Sequence, residues 1–173
     1  MDNYYITGKL KLKNNCVDKS YLKVNQEPKM FQHELRSITQ SVNEGIYKLY
    51  YFEDDKPRTI YRLFSKDDTG VLYIGMTEGP LYDRVCNLQK ALVANWETDE
   101  GKPASSGHTQ MGKKYYRIRK KINIDDLYIQ ITPDHYPKQA ETNAIEDYVK
   151  KFAELPPLNG QYGSIDPEWS IFS

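Results

Sequence analysis

The spacing of hydrophobic positions changes character several times along the chain. In residues 29–39, Met30, Phe31, Leu35 and Ile38 fall on one side of a helix. From Gly45 to Phe52, β-branched and aromatic residues crowd together as they do in a strand. The polar run at 53–57 is a turn, 59–64 a second strand, 67–70 a turn whose Gly70 supplies a positive φ, and 71–75 a further strand. This is an antiparallel meander. Pro80 then opens a helix, where its missing N–H costs nothing. Leu81, Val85, Leu88, Leu92 and Trp96 recur at intervals of three to four, so that helix buries one face as far as Trp96. Residues 97–112 form a loop, 113–121 a basic helix, 127–131 a strand and 134–138 a loop. A last amphipathic helix over 139–155 carries Ile145, Tyr148, Val149 and Phe152 on its buried stripe, and Pro156-Pro157 ends it. There is no internal repeat. The pattern predicts an α+β fold, a small central antiparallel β-sheet flanked by helices, with residues 1–40 as an N-terminal arm or extension and 41–173 as the main domain.

Composition narrows this picture. A chain of 173 residues, 39% hydrophobic and 13% aromatic, can bury a core and is not of the disordered class. Two cysteines, Cys16 and Cys86, make neither a disulfide framework nor paired metal-ligand spacing, and Cys86 sits in the helix after Pro80 as a small core residue. The first residues lack the apolar core of a signal peptide, and no stretch approaches the roughly 20 apolar residues that span a bilayer. A cytoplasmic protein with no membrane partner is expected.

The formal net charge is zero, which at first argues against a polyanionic partner. The distribution reverses that argument. Residues 102–124 hold seven basic side chains (Lys102, Lys113, Lys114, Arg117, Arg119, Lys120, Lys121) and no acidic one, interleaved with Tyr115 and Tyr116. Such a patch can track a phosphate backbone, or it can be a solvated helix face.

Taken singly, the residues able to do chemistry have ordinary explanations. Tyr47 and Tyr73 lie in strand segments that need packing. Arg84 lies on a helix surface, and Glu146 precedes Lys150 by four residues, the favourable order for a helical ion pair. Their order along the chain is less ordinary. Gly45-Ile46-Tyr47, then Tyr73-Ile74-Gly75 followed by Met76-Thr77, then Arg84 on a helix, Glu146 on a later helix, and Asn159 after Pro156-Pro157-Leu158 form one ordered set. Over about residues 45–160 the chain resembles the GIY-YIG endonuclease superfamily, and its compactness is closest to the small restriction endonucleases of that group.

The resemblance implies a divalent-metal-dependent DNA endonuclease, a hydrolase of phosphodiester bonds in double-stranded DNA, probing sequence as restriction enzymes do. Glu146 would hold one Mg²⁺ or Mn²⁺, a hard cation that keeps several waters. Arg84 would grip the phosphate, Tyr47 would deprotonate or orient the attacking water, Tyr73 would hydrogen-bond in the same site, and Asn159 would fix the geometry near the glutamate. Lys113, Lys114, Arg117, Arg119, Lys120 and Lys121 would bind DNA. Residues 1–40 would serve dimerisation or DNA contact, since one site per chain cuts two strands most simply as a homodimer.

Several alternatives stay open at this level. Tyr47 and Tyr73 are 26 residues apart, a wider gap than many members have, and Tyr61 lies 12 before Tyr73. Tyr47 keeps the glycine of the signature, and residues 57–63 would then extend the hairpin. Glu141 is 18 residues before Asn159 and Glu146 is 13 before, and the shorter interval fits the resemblance better. His108, in Gly107-His108-Thr109, is a loop residue or a base that titrates near neutrality. A non-catalytic DNA-binding protein on this scaffold and a structure-specific repair nuclease are the competing functions. A protein-interaction module built on the fifteen tyrosines is a weaker one.

Overall fold

The computed structural model describes residues 9–11, 20–39, 43–54, 56–98 and 108–163. Its elements in chain order are β1 (Lys9–Lys11), β2 (Ser20–Lys23), α1 (Pro28–Thr39), β3 (Gly45–Glu53), β4 (Lys56–Pro57), β5 (Ile60–Tyr61), β6 (Lys66–Asp67), β7 (Val71–Thr77), α2 (Leu81–Val93), α3 (Thr109–Ile118), β8 (Leu127–Pro133) and α4 (Pro137–Phe152). The fold is α+β, as the hydrophobic pattern predicts.

The sheet runs β1-β2-β8-β3, with β7 on the far side of β3 and β4 pairing with the end of β3. All these pairs are antiparallel. Strand β3 is central, and Tyr47 faces Gly75 of β7 on one side and Ile131 of β8 on the other. That position explains its composition. A strand paired on both sides and covered on both faces carries apolar residues almost continuously rather than in alternation. Gly45 sits where β8 and α2 converge: a Cβ there would lie 2.5 Å from the Thr132 carbonyl oxygen and 2.9 Å from a Leu81 methyl.

Side chains of β3 alternate between two cores. Tyr47 and Leu49 join Leu22, Phe31, Leu35, Leu81, Val85, Leu88, Met111 and Tyr115, so α1, α2 and α3 cover one face. Tyr50 and Phe52 join Val71, Ile74, Ile145, Tyr148 and Phe152, so α4 covers the other. Among the described residues β7 ends the sheet, and residues of α3 and α4 line a cavity beside it. No helix among the described residues is long and apolar enough to cross a membrane.

Four expectations need correction. Residues 20–39 are not an appended arm: β2 pairs with β8, and Leu22, Val24, Phe31 and Leu35 are wholly buried in the shared core. Of the rest of the proposed arm, Lys9–Lys11 form β1, while 1–8, 12–19 and 40 lie outside the described residues, as does Cys16. The strand expected at 59–64 is only β5, which pairs with β6 in a separate two-stranded piece rather than joining the meander. Helix α2 stops at Val93, and Trp96 folds back so that its indole N–H donates to the Ala91 carbonyl at 3.0 Å, satisfying an end group of the helix. Helix α3 begins at Thr109, before the basic run, because Met111 and Tyr115 supply its buried stripe.

The extension between β3 and β7 is held firmly. An Arg62 guanidinium N–H donates to the Leu155 carbonyl at 2.6 Å, the Leu63 N–H donates to Glu154 at 2.6 Å, and the Tyr148 hydroxyl donates to buried Asp67 at 2.5 Å. Tyr61, in this extension, is 77% exposed, so Tyr47 and not Tyr61 stands beside the second signature.

Candidate active site

Four elements bring polar side chains to one buried point. Tyr47 of β3 has no solvent exposure, and its hydroxyl accepts the Nε–H of Arg84 from α2 at 2.9 Å. The same hydroxyl lies 2.9 Å from Nε2 of His108, the residue capping α3. Tyr73 of β7 completes the group, its ring centroid 6.3 Å from those of both Tyr47 and His108. Gly75 makes room for this convergence. A Cβ on it would sit 2.8 Å from the Tyr73 ring and 2.9 Å from the Tyr47 hydroxyl. The glycine of the second signature is therefore a packing requirement of the two tyrosines.

Burial dominates the electrostatics. It raises the Tyr47 pKa far above the usual phenol value, and Tyr73 adds to the rise. The neighbouring Arg84 charge pulls the other way and does not win. Tyr73 is raised by burial too, with Arg84 again opposing. His108 moves down from 6.5 to about 3, first because burial penalises the imidazolium and second because Arg84 repels it. Near neutral pH the centre thus holds two neutral phenols, a neutral imidazole and one guanidinium. A neutral imidazole has one donor and one acceptor nitrogen, so the tautomer with its proton on Nδ1 leaves Nε2 free to accept from Tyr47. In that bond Nδ1 has no hydrogen-bond partner. Arg84 spends Nε on Tyr47, which leaves the terminal nitrogens of its fork for an anion.

Beside Tyr73 opens a cavity of about 500 Å³, lined by Glu141, Lys114, Gln110, Asn159 and Tyr162 among others. Glu141, not Glu146, reaches this cavity, and its negative charge acts on both Tyr47 and Tyr73. Five residues on a helix turn through about 140° beyond one full circle, so both carboxylates cannot face the same place. Glu146 is instead buried against the core side of α4, 6% exposed, with neither carboxylate oxygen hydrogen-bonded. Spacing to Asn159 selects Glu146, whereas helical phase selects Glu141. Among the described residues no three His, Cys, Asp or Glu side chains gather into one cluster.

Asn159 is close to the tyrosines but fully engaged. Its Oδ1 accepts the Ile74 N–H at 2.9 Å and its Nδ2 donates to the Ile74 carbonyl at 2.9 Å. The side-chain amide thereby imitates a neighbouring strand along the open edge of β7, helped by the Leu158 N–H on the Leu72 carbonyl at 2.8 Å.

The basic run divides. Lys113, Arg117, Lys120 and Lys121 are exposed. Arg119 stacks on Tyr116, 3.4 Å from its ring centroid, bonds its carbonyl, and pairs with Glu97 at 3.6 Å. Lys114 alone of the set turns into the cavity, where its ammonium donates to the Asn159 carbonyl at 2.7 Å. The Lys114 placement could not be read from the charge run; it needs the true start of α3, which puts Gln110, Met111 and Lys114 on one face. His135, by contrast, meets Glu44 at 2.9 Å on the exposed surface.

Compared with known proteins, the chain matches no family model, no curated protein and no solved structure.

Proposed function

We propose that this chain is a divalent-metal-dependent DNA endonuclease that hydrolyses phosphodiester bonds in double-stranded DNA, with sequence-specific cleavage of the restriction type. The observation that carries the reading is the buried Tyr47 hydroxyl, joined to Arg84 and His108 from two different helices and packed beside Tyr73. A structural core has no need of an arginine and a histidine on one phenol. A hydrolytic site does, because it must hold an anion and move a proton at neighbouring atoms.

In the proposed reaction a water oxygen bonds to phosphorus as the bond to the leaving sugar oxygen breaks. The attacking water gives up one proton to bulk solvent, and the leaving sugar oxygen takes one proton from solvent water. Tyr47 is too basic as a phenolate to exist free near neutral pH. It therefore keeps its proton, which it donates to Nε2 of His108, and its oxygen holds the Arg84 guanidinium in place. The Arg84 fork meets the phosphate oxygens as charge builds on them.

A cavity holding one carboxylate among amides, two phenols and an ammonium fits a single hard cation that keeps most of its waters. Glu141 would hold Mg²⁺ or Mn²⁺ there. When bound, such an ion adds positive charge against the phosphate and eases ionisation of a coordinated water. Glu146, which the sequence interval favours, would need to turn out of the core to do the same.

The test is cleavage of mixed-sequence duplex DNA with Mg²⁺ or Mn²⁺ by the wild type, Glu141→Ala and Glu146→Ala. The wild type is expected to give discrete bands. Glu141→Ala should lose roughly 10²-fold or more in rate while still binding DNA, and Glu146→Ala should keep cleavage. Duplex binding with no cleavage in either metal would overturn the enzymatic reading in favour of a DNA-binding protein on this scaffold.

A further inference from the structure

Lys114 departs from its basic neighbours in a way that assigns it a different job. Lys113 lies over the Trp96 ring at 6.0 Å and is exposed, and Arg119 is spent on Tyr116 and Glu97. Lys114 is half-buried and is the cation among the residues lining the 500 Å³ cavity. One of its three N–H groups goes to the Asn159 carbonyl at 2.7 Å, leaving two for another acceptor. That anchor is rigid, because the Asn159 side chain is itself fixed at both ends on Ile74, next in sequence to Tyr73. The ammonium is thereby held in register with the tyrosine pair.

Charge supplies the reason. A phosphodiester entering this cavity brings a negative charge toward Glu141, which already carries one. Arg84 lies on the Tyr47 side of Tyr73, while Lys114 comes from another helix into the cavity itself. Resting on the nuclease reading above, we propose that Lys114 is a catalytic residue of the same site, its ammonium donating to a non-bridging oxygen of the scissile phosphate. It keeps its proton throughout; the water's proton and the leaving oxygen's proton move as described above.

The experiment is single-turnover cleavage of duplex DNA by wild type, Lys114→Ala, Lys114→Gln and Lys113→Ala. Lys114→Gln keeps an N–H donor for the Asn159 carbonyl and removes only the charge, so it separates anchoring from catalysis. Each protein is also given substrates with a methylphosphonate of defined stereochemistry at the cut site, which deletes one non-bridging oxygen's charge at a time. Both Lys114 variants are expected to cleave unmodified DNA about 10²-fold more slowly. For one stereoisomer the effects of enzyme and substrate changes should be non-additive by about tenfold or more, the sign of direct contact. Lys113→Ala should lose affinity with a shallower salt dependence. Additive effects with both stereoisomers, or an unchanged rate in Lys114→Gln, would overturn the assignment while leaving a nuclease. A wild type unable to cut DNA at all would overturn the nuclease reading, and this assignment with it.

Discussion

A phenol sealed from water and flanked by a guanidinium feels two opposed effects, and their sizes decide its chemistry. Arg84 stabilises a Tyr47 phenolate, but desolvation outweighs it, so the hydroxyl remains protonated. The same burial keeps His108 neutral. This has a consequence for stability. In the unfolded chain a histidine titrates near 6.5, and in the fold His108 titrates near 3. Between those values the unfolded state binds more protons, so stability must fall as pH drops below about 6.5. The contribution is fully present above the unfolded value and is lost as pH falls toward the folded one. From pH 7 to pH 5 this one group should cost about 2 kcal/mol. Denaturant unfolding of wild type and His108→Gln at the two pH values checks it. A slope in the wild type no steeper than in the variant would mean that His108 is not shielded as described. The sequence placed His108 near the chemistry but made it a neutral-range titrating loop residue, because burial is invisible in a run such as Gly107-His108-Thr109.

At the scale of elements, the edge of β7 controls the site. Tyr73 and Gly75 belong to a strand whose outer side has no further strand among the described residues, and the Asn159 side chain occupies the Ile74 position of that edge. Asn159→Ala would leave the Ile74 N–H and carbonyl without this partner, at roughly 1–3 kcal/mol. The Ile74 amide should then exchange with solvent markedly faster, while amides of β8 on the opposite side of β3 keep their protection. Hydrogen exchange followed by NMR decides this, and equal protection of Ile74 in both proteins would sink the idea. The asparagine was legible as the last member of an ordered set, yet its task was not. Its neighbours in sequence say nothing of Ile74, 85 residues away. The two glutamates teach a related lesson. An interval counted along the chain favours Glu146, whereas the angular step of α4 keeps the two carboxylates apart and the fold brings Glu141 to the cavity. The strands β3 and β7 were the easiest elements to read, since aromatic and β-branched residues fill both and glycines mark their close approaches.

Across the whole molecule, two cores share one sheet, and both take side chains from the segment Ser20 to Thr39. The segment from Ser20 to Thr39 gave little sign of this. Strand β2 is four residues long, and its partner β8 lies more than a hundred residues onward, a pairing that no local pattern encodes. The helix α1 was legible from Phe31 and Leu35, but a lone amphipathic helix does not announce which surface it covers. In the fold Leu22, Val24, Phe31 and Leu35 are all wholly buried against the face that also carries Tyr47. Each fully buried side chain of this kind contributes roughly 1.5–3 kcal/mol, so the four together reach about 6–12 kcal/mol. A whole domain is typically stable by only about 5–15 kcal/mol. A detachable arm and a core layer therefore predict opposite outcomes for a chain comprising residues 41–173. If the segment were an arm, that fragment would unfold cooperatively and retain cleavage with altered affinity. The packing around Leu22 and Phe31 instead requires that it lose dispersed amide signals and a cooperative thermal transition. Because Tyr47 shares its core with Leu22 and Phe31, the proposed cleavage should disappear with the fold rather than weaken in proportion to the proposed DNA contacts.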